Sequence, residues 1–156
     1  MAILTTATQM NLIVATCKNL ILSNATVLGL SGITEVFERD EHPAIALENG
    51  NVPAAYVVPI MEGGDSMNST IGSQEVMHEF PLTIYAYYKT TDVATSLQTV
   101  RNYAYNMSDY LWGDGLNHTE ANIVRQKLEV GYFTMVDNII HYWIINCTVR
   151  SLIQPD

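Results

Sequence analysis

Charge is scarce in this chain. Of its 156 residues only 15% are Asp, Glu, Lys or Arg, against about 25% in an ordinary soluble protein, and only seven are basic. A basic stripe able to neutralise a run of phosphates is missing, which argues against ordinary nucleic-acid binding. Cysteine is nearly missing too. Cys17 and Cys147 show no framework spacing, so buried free thiols are a simpler expectation than a disulfide. Other absences exclude further classes: no apolar run is long enough to cross a bilayer, and no positive charge precedes residue 11 as a secretory leader would require. A Gly-x-Ser-x-Gly elbow and the phosphate-binding glycine signatures are absent as well. The histidines His42, His78, His118 and His141 have no i,i+4 partner and no cysteine at ligand spacing, so no metal site is expected. The Asn-x-Ser/Thr sequons at Asn24, Asn68, Asn106, Asn117 and Asn146 read as coincidences of an Asn- and Thr-rich chain without an export signal.

Apolar residues, by contrast, are plentiful at 48%. A single domain over residues 1–156 is expected, able to bury about 68–70% of its unfolded surface without metal or disulfide support. With so little charge, something other than water is expected to cover part of the surface. The net charge of −9 is also uneven, because nine acids and one base, Arg39, lie between Glu35 and Glu79. Glu38, Asp40 and Glu41 lack the glycine and terminal glutamate of a calcium loop, so the run reads either as a solvated, solubilising loop or as a surface past which DNA slides without sticking.

The stretch Glu75 to Trp112 sets the fold. Phe80, Leu82, Ile84, Ala86 and Tyr88 alternate with Glu79, Thr83, Tyr85, Tyr87 and Lys89, the period-two pattern of a strand. Val93, Leu97, Val100, Ala104, Met107 and Leu111 then follow at helical steps, with Thr91 as cap and Gly113 as stop. Before this pair, a helix is predicted from Thr5 or Thr6 to about Asn24, a short edge strand over Ile33–Glu38, loop over Arg39–Asn51, and a strand over Val52–Met61 with Pro53 and Pro59 at its ends. Glu62 to Gln74, rich in Gly and Ser, reads as a flexible loop that is either functional or a tolerated hairpin tip. After the pair come strands over Glu129–Val136 and Ile139–Ile153, turned at Asp137-Asn138. This order predicts an α+β domain: a four-stranded, mainly antiparallel sheet with two helices packed on one face. Nine tyrosines and two tryptophans, in a chain with only seven lysines and arginines, favour core or subunit-interface packing over stacking on nucleic acid.

The element order, the strands Pro53-Ala54-Ala55-Tyr56-Val57-Val58-Pro59 and Phe80-Pro81-Leu82-Thr83-Ile84-Tyr85, and the closing strand from Tyr142 to Leu152 together resemble tail terminator (tail completion) proteins of long-tailed bacteriophages. The resemblance spans most of the chain and is one of texture and order, without a diagnostic motif. It implies a structural virion protein of the tail and neck, assembled in the host cytoplasm. Such a protein forms a homohexameric ring at the head-proximal end of the tail tube, where it ends tube polymerisation and offers the head–tail joining face. The implied partners are further copies of itself, the tail tube protein and a head completion or connector protein. DNA passes through the lumen without specific binding, and no membrane, cofactor or catalytic residue is implied. In that frame Tyr85, Tyr87, Lys89, Tyr142 and Trp143 are expected at a subunit or partner interface. Glu62, Gly63, Gly64, Asp65 and Ser66 are expected in a flexible docking loop, and Glu38, Asp40, Glu41 and Glu48 along an acidic lumen. The alternatives are another neck or head–tail connector ring protein, and a ferredoxin-like ligand-binding module or enzyme.

Overall fold

A computed structural model describes residues 6–39, 42–50, 52–59, 65–69, 76–90, 93–112, 116, 121–135 and 138–153. Its elements in chain order are α1 (Thr6–Ser23), α2 (Pro43–Glu48), β1 (Ala54–Pro59), β2 (Asp65–Ser69), β3 (Val76–Thr90), α3 (Val93–Trp112), β4 (Ala121–Met135) and β5 (Asn138–Ile153). β1, β3, β5 and β4 lie side by side in that order with every pair antiparallel, and β2 adds to β3 next to β1. The domain is therefore α+β, with the predicted antiparallel sheet of four main strands and one short strand and one short helix more.

β5 pairs with β3 along its whole length, from Val76 to Thr90. The remaining edge of β3 is shared: β1 pairs with Leu82 to Tyr87, and β2 with Val76 to Glu79. The break falls at Phe80 and Pro81. Proline has no N–H to give a ladder, so a gap in pairing costs least there.

Directly opposed residues of an antiparallel pair share a face of the sheet. The inner face carries Val57, Ile84, Ile145 and Trp143, all fully buried, and both long helices lie on it. α1 contributes Ile13, Val14, Cys17 and Ile21, and α3 contributes Val100, Ala104, Met107 and Leu111. These positions recur at three and four residues because each turn takes about 3.6 residues, so one stripe of each helix meets the sheet. Each fully buried Leu, Ile, Val or Met side chain contributes about 1.5–3 kcal/mol. Two polar contacts form within this layer: the Trp143 Nε1–H donates to Met107 Sδ at 3.3 Å, and Gln9 Nε2 donates to Ser151 Oγ at 2.8 Å. Between α1 and the sheet, Gly29 adopts φ +73°, and the Tyr103 ring occupies the place a Cβ there would need. Only glycine meets both demands.

Four expectations need correcting. Arg39–Asn51 is not loop throughout, because Pro43–Glu48 form α2. This helix is six residues long, too short to display a helical period, and its signals are local: Pro43 opens it and the His42 Nδ1 accepts the Ala44 N–H at 3.1 Å, as a cap should. Asp65 and Ser66 do not belong to a flexible loop but to β2, where they face Glu79 and His78. Ile33–Glu38 forms no strand beyond one parallel bridge between Phe37 and Tyr56. β4 begins at Ala121 instead of Glu129, with a bulge between Ile123 and Arg125. The extra residue reverses the alternation, so Ile123 points inward before it and Gln126 and Leu128 after it, and the period-two signal runs out of phase.

Candidate functional site

The outer face of the sheet changes character along its length. At one end Tyr56, Tyr85, Tyr87 and Ile140 are buried together with Ala46 of α2, while Tyr142 and Ile144 pack against them. α2 crosses this end from β4, where the His42 ring lies 6.5 Å from Phe133, toward β1. Tyr56 stacks on Tyr85 with centroids 5.0 Å apart, and Phe133 stacks on Tyr142 at the same spacing. Between α2 and β4 a groove of about 450 Å³ remains, floored by Tyr85, Tyr87, Tyr142 and Ile144 and bordered by His42 and Glu129. At the other end the face is polar. Thr83 Oγ1 donates to Asn146 at 3.0 Å, and the Arg150 guanidinium gives two hydrogen bonds to Glu79 Oε1, at 3.0 and 2.6 Å.

The interface set predicted from sequence is thus divided. Tyr85 and Tyr87 retain only 7% and 6% of their exposure, because the chain's own α2 and Tyr56 cover the face that was expected to await a neighbour. Trp143 is at 0% exposure in the inner core, since neighbouring strand residues point to opposite faces and Tyr142 takes the outer one. Tyr142 is half-buried on the groove, and Lys89 stands exposed near the end of β3. Of the expected acidic lumen, Glu38 is exposed and ion-paired with Lys18 at 3.2 Å, and Glu48 is exposed at the end of α2. Asp40 and Glu41 lie outside the described residues, as do Glu62, Gly63 and Gly64 of the docking loop.

A different surface gathers the apolar groups that the core leaves over. β4 is a terminal strand of the sheet, fifteen residues long, with one edge unpaired among the described residues. Val130 and Tyr132 lie on its helix side yet are 37% and 48% exposed, and Phe133 on its outer side is 42% exposed. α3 turns a second stripe toward this strand. Ser108 of α3 donates to Gln126 of β4, and at about 100° per residue Leu97, Arg101, Tyr105 and Trp112 fall within about 60° of Ser108. Leu97, Tyr105 and Trp112 are 41%, 57% and 51% exposed. Periodicity alone assigns Leu97 to the core stripe, but the helix turns it to the margin. Arg101 is exposed on the same stripe of α3, while the exposed Arg125 and Lys127 lie opposite Thr148 and Asn146 on the outer side of β4. This surface escaped sequence reading. Its available signals were the run Leu128, Val130, Tyr132, Phe133, which is apolar on both faces of one strand, and a helix with a second apolar stripe.

Titratable groups within the layers are tuned by burial. Burial pushes the Cys17 thiol up to about 12; it does the same to Cys147, helped by the Cys17 sulfur nearby. Both are free and buried, hence poor nucleophiles. His141, held against the Tyr88 and Tyr132 rings, has its pKa lowered from 6.5 by burial. His78 Nδ1 is buried without a hydrogen-bond partner among the described residues, and the ring packs on Phe80. No three His, Cys, Asp or Glu side chains converge as metal ligands among the described residues. Among the same residues no helix is long and apolar enough to cross a membrane. No protein-family model matches the chain, and no curated protein matches it.

Proposed function

We propose that this chain is a ring-forming subunit of a long-tailed phage, acting as the tail terminator at the head-proximal end of the tail tube. The observation that carries the reading is the flank of α3 and β4, where Leu97, Tyr105, Trp112, Val130 and Tyr132 stand exposed beside an edge of a fifteen-residue strand that is unpaired among the described residues. Long exposed strand edges with apolar neighbours are aggregation hazards unless another chain covers them, and repeated subunits in a closed ring supply that cover. Low overall charge suits a subunit whose flanks are buried against copies of itself. On this reading the protein is structural and not catalytic, its place is the virion, and its partners are its own copies, the tube protein and a head-side connector ring. The excess of acid in residues 35–79 keeps DNA passing through the lumen from adhering.

Electron microscopy and mass measurement of the purified protein test this directly. Closed rings that bind the ends of tail tubes and stop their growth are expected. A protein that stays monomeric at high concentration and leaves tubes uncapped refutes the reading, whereas rings that bind only portal-proximal assemblies make it another neck component. The groove of about 450 Å³ favours one competing class, a small-ligand module, since its volume falls within the usual range of ligand sites. That class predicts a monomer whose melting temperature rises with ligand.

A further inference from the structure

The groove on the outer face is ordered along the strands. Opposed residues of antiparallel strands share a face, so the register sets its rows. Tyr87 faces Tyr142, which faces Gly131; Tyr85 faces Ile144, which faces Glu129; Thr83 faces Asn146, which faces Lys127. The first row is aromatic and the last is polar. Gly131 shapes the aromatic end, because the Tyr142 ring occupies the space that a Cβ at position 131 would need and lies against Phe133 with centroids 5.0 Å apart. Tyr85 and Tyr87 close the other side, with Tyr56 stacked behind Tyr85. At the polar end Thr83 Oγ1 donates to Asn146 Oδ1, and the Asn146 amide nitrogen makes no hydrogen bond among the described residues.

The charges follow the same order. Glu129 borders the groove beside the aromatic row, Lys127 stands opposite Asn146, and both are exposed. Two residues apart on one strand, their Cα atoms lie about 7 Å from each other, yet neither makes an ion pair among the described residues. Farther out on this face, Arg125 opposite Thr148 extends the positive end, and Arg150 is held by Glu79. Lys89 lies opposite Ile140, one row beyond Tyr87, and lines a separate hollow with Ser31 and Tyr103. His42 uses its Nδ1 to cap α2.

From this order we infer that the groove binds a small zwitterion of the betaine class, with its alkylated ammonium on the tyrosine rings beside Glu129 and its carboxylate at Asn146 and Lys127. The negative faces of aromatic rings attract an alkylammonium, more strongly where water is excluded. The exposed Glu129 and Lys127 add little energy each, so the rings supply most of the affinity and the two charges set the direction of the ligand. A volume of about 450 Å³ is ample for such a molecule and typical of ligand sites. The inference goes beyond the ring reading and does not lean on it. The groove opens on the outer face, whereas Val130 and Tyr132 of the apolar flank lie on the helix side of β4.

Titration of the full-length chain, followed by ligand-observed NMR, tests the inference with three probes. These are γ-butyrobetaine, choline, which lacks the carboxylate, and the tert-butyl analogue of choline, which lacks the charge as well. γ-Butyrobetaine is expected to bind, choline about threefold more weakly, and the uncharged analogue weaker than choline by at least about fivefold. Two variants at exposed positions, Glu129→Gln and Lys127→Gln, are checked for an unchanged melting temperature and then titrated. Glu129→Gln should weaken both cations about threefold, whereas Lys127→Gln should weaken γ-butyrobetaine by a similar factor and leave choline no weaker. Phe133→Leu keeps an apolar group but loses the ring, and should weaken both. Failure of γ-butyrobetaine to bind, equal binding of the uncharged analogue, or a Lys127→Gln chain that loses choline as much as γ-butyrobetaine overturns the inference. Mass measurement on the same samples reads assembly separately. A monomer that binds removes only the ring reading, and a ring that does not bind removes only this inference.

Discussion

Replacing Tyr85 by serine is a fold mutation if α2 truly closes the outer face, and an assembly mutation if a neighbouring subunit does. The magnitude follows from the packing. Tyr85 is 7% exposed, its ring stacks on Tyr56 at 5.0 Å, and it meets Tyr87 at 5.9 Å. A buried tyrosine removes at least about 150 Å² from water, which at about 25 cal/mol per Å² comes to roughly 4 kcal/mol. The stack adds about 0.5–1.5 kcal/mol, and partial collapse of α2 into the space returns some of the loss. The expected cost is therefore about 3–5 kcal/mol. For a chain of 156 residues each kcal/mol lowers the melting temperature by roughly 2–4 °C. The drop, followed by circular dichroism at a concentration where the protein is monomeric, should be at least about 6 °C. Tyr85→Phe keeps the ring and loses only the hydroxyl, and should cost about 1 kcal/mol. A Tyr85→Ser monomer that melts within about 2 °C of the original, yet no longer assembles, would show that a partner and not α2 covers this ring.

Gly29→Ala should be far worse than Gly32→Ala, although both glycines have positive φ: the methyl at position 29 runs into the Tyr103 ring while position 32 is open. Urea unfolding should give a loss of about 2–4 kcal/mol for the first and about 1–2 for the second. Equal losses would mean that backbone strain alone matters. His141 makes the fold acid-sensitive. Its pKa is lowered by burial from 6.5, so the unfolded chain takes up a proton first as pH falls. Stability from this group is complete above about pH 6.5 and declines below it, by at most about 1.4 kcal/mol per unit. His141→Phe should flatten that part of the stability curve, and an unchanged slope would assign the acid sensitivity elsewhere. Cys17 and Cys147, with thiols pushed up to about 12, should resist a thiol reagent at pH 8 in the native state and both react in denaturant. Rapid native labelling of either would place it outside the core.

What was legible in the sequence is what the chain buries against itself by a regular rule. The alternation through Phe80, Leu82, Ile84 and Ala86 and the helical steps through Val100, Ala104, Met107 and Leu111 each report one face meeting one core, and from them the layer order follows. Where the rule is broken locally, reading fails. α2 is shorter than two turns, β4 carries a bulge that reverses its parity, and β2 is made of Asp65–Ser69, short and polar, stabilised by the edge of β3 that Pro81 leaves incomplete.

The candidate interface was harder for a different reason. Tyr142 and Trp143 adjoin in sequence, so composition treats them as one aromatic patch, yet a strand sends them to opposite faces: one onto the groove, the other to complete burial beside Met107. Aromatic content says that rings must be covered, but topology decides by what. The deepest rings, Tyr56, Phe80 and Trp143, are covered from within. The less conspicuous Leu97, Val130 and Tyr132 are exposed because β4 is the last strand and α3 leaves part of it bare. Strand order is a long-range property that no local window contains. On the proposed reading the interface lies on a flank and not on a face, and that flank comes into view only once β4 is known to be a terminal strand of the sheet.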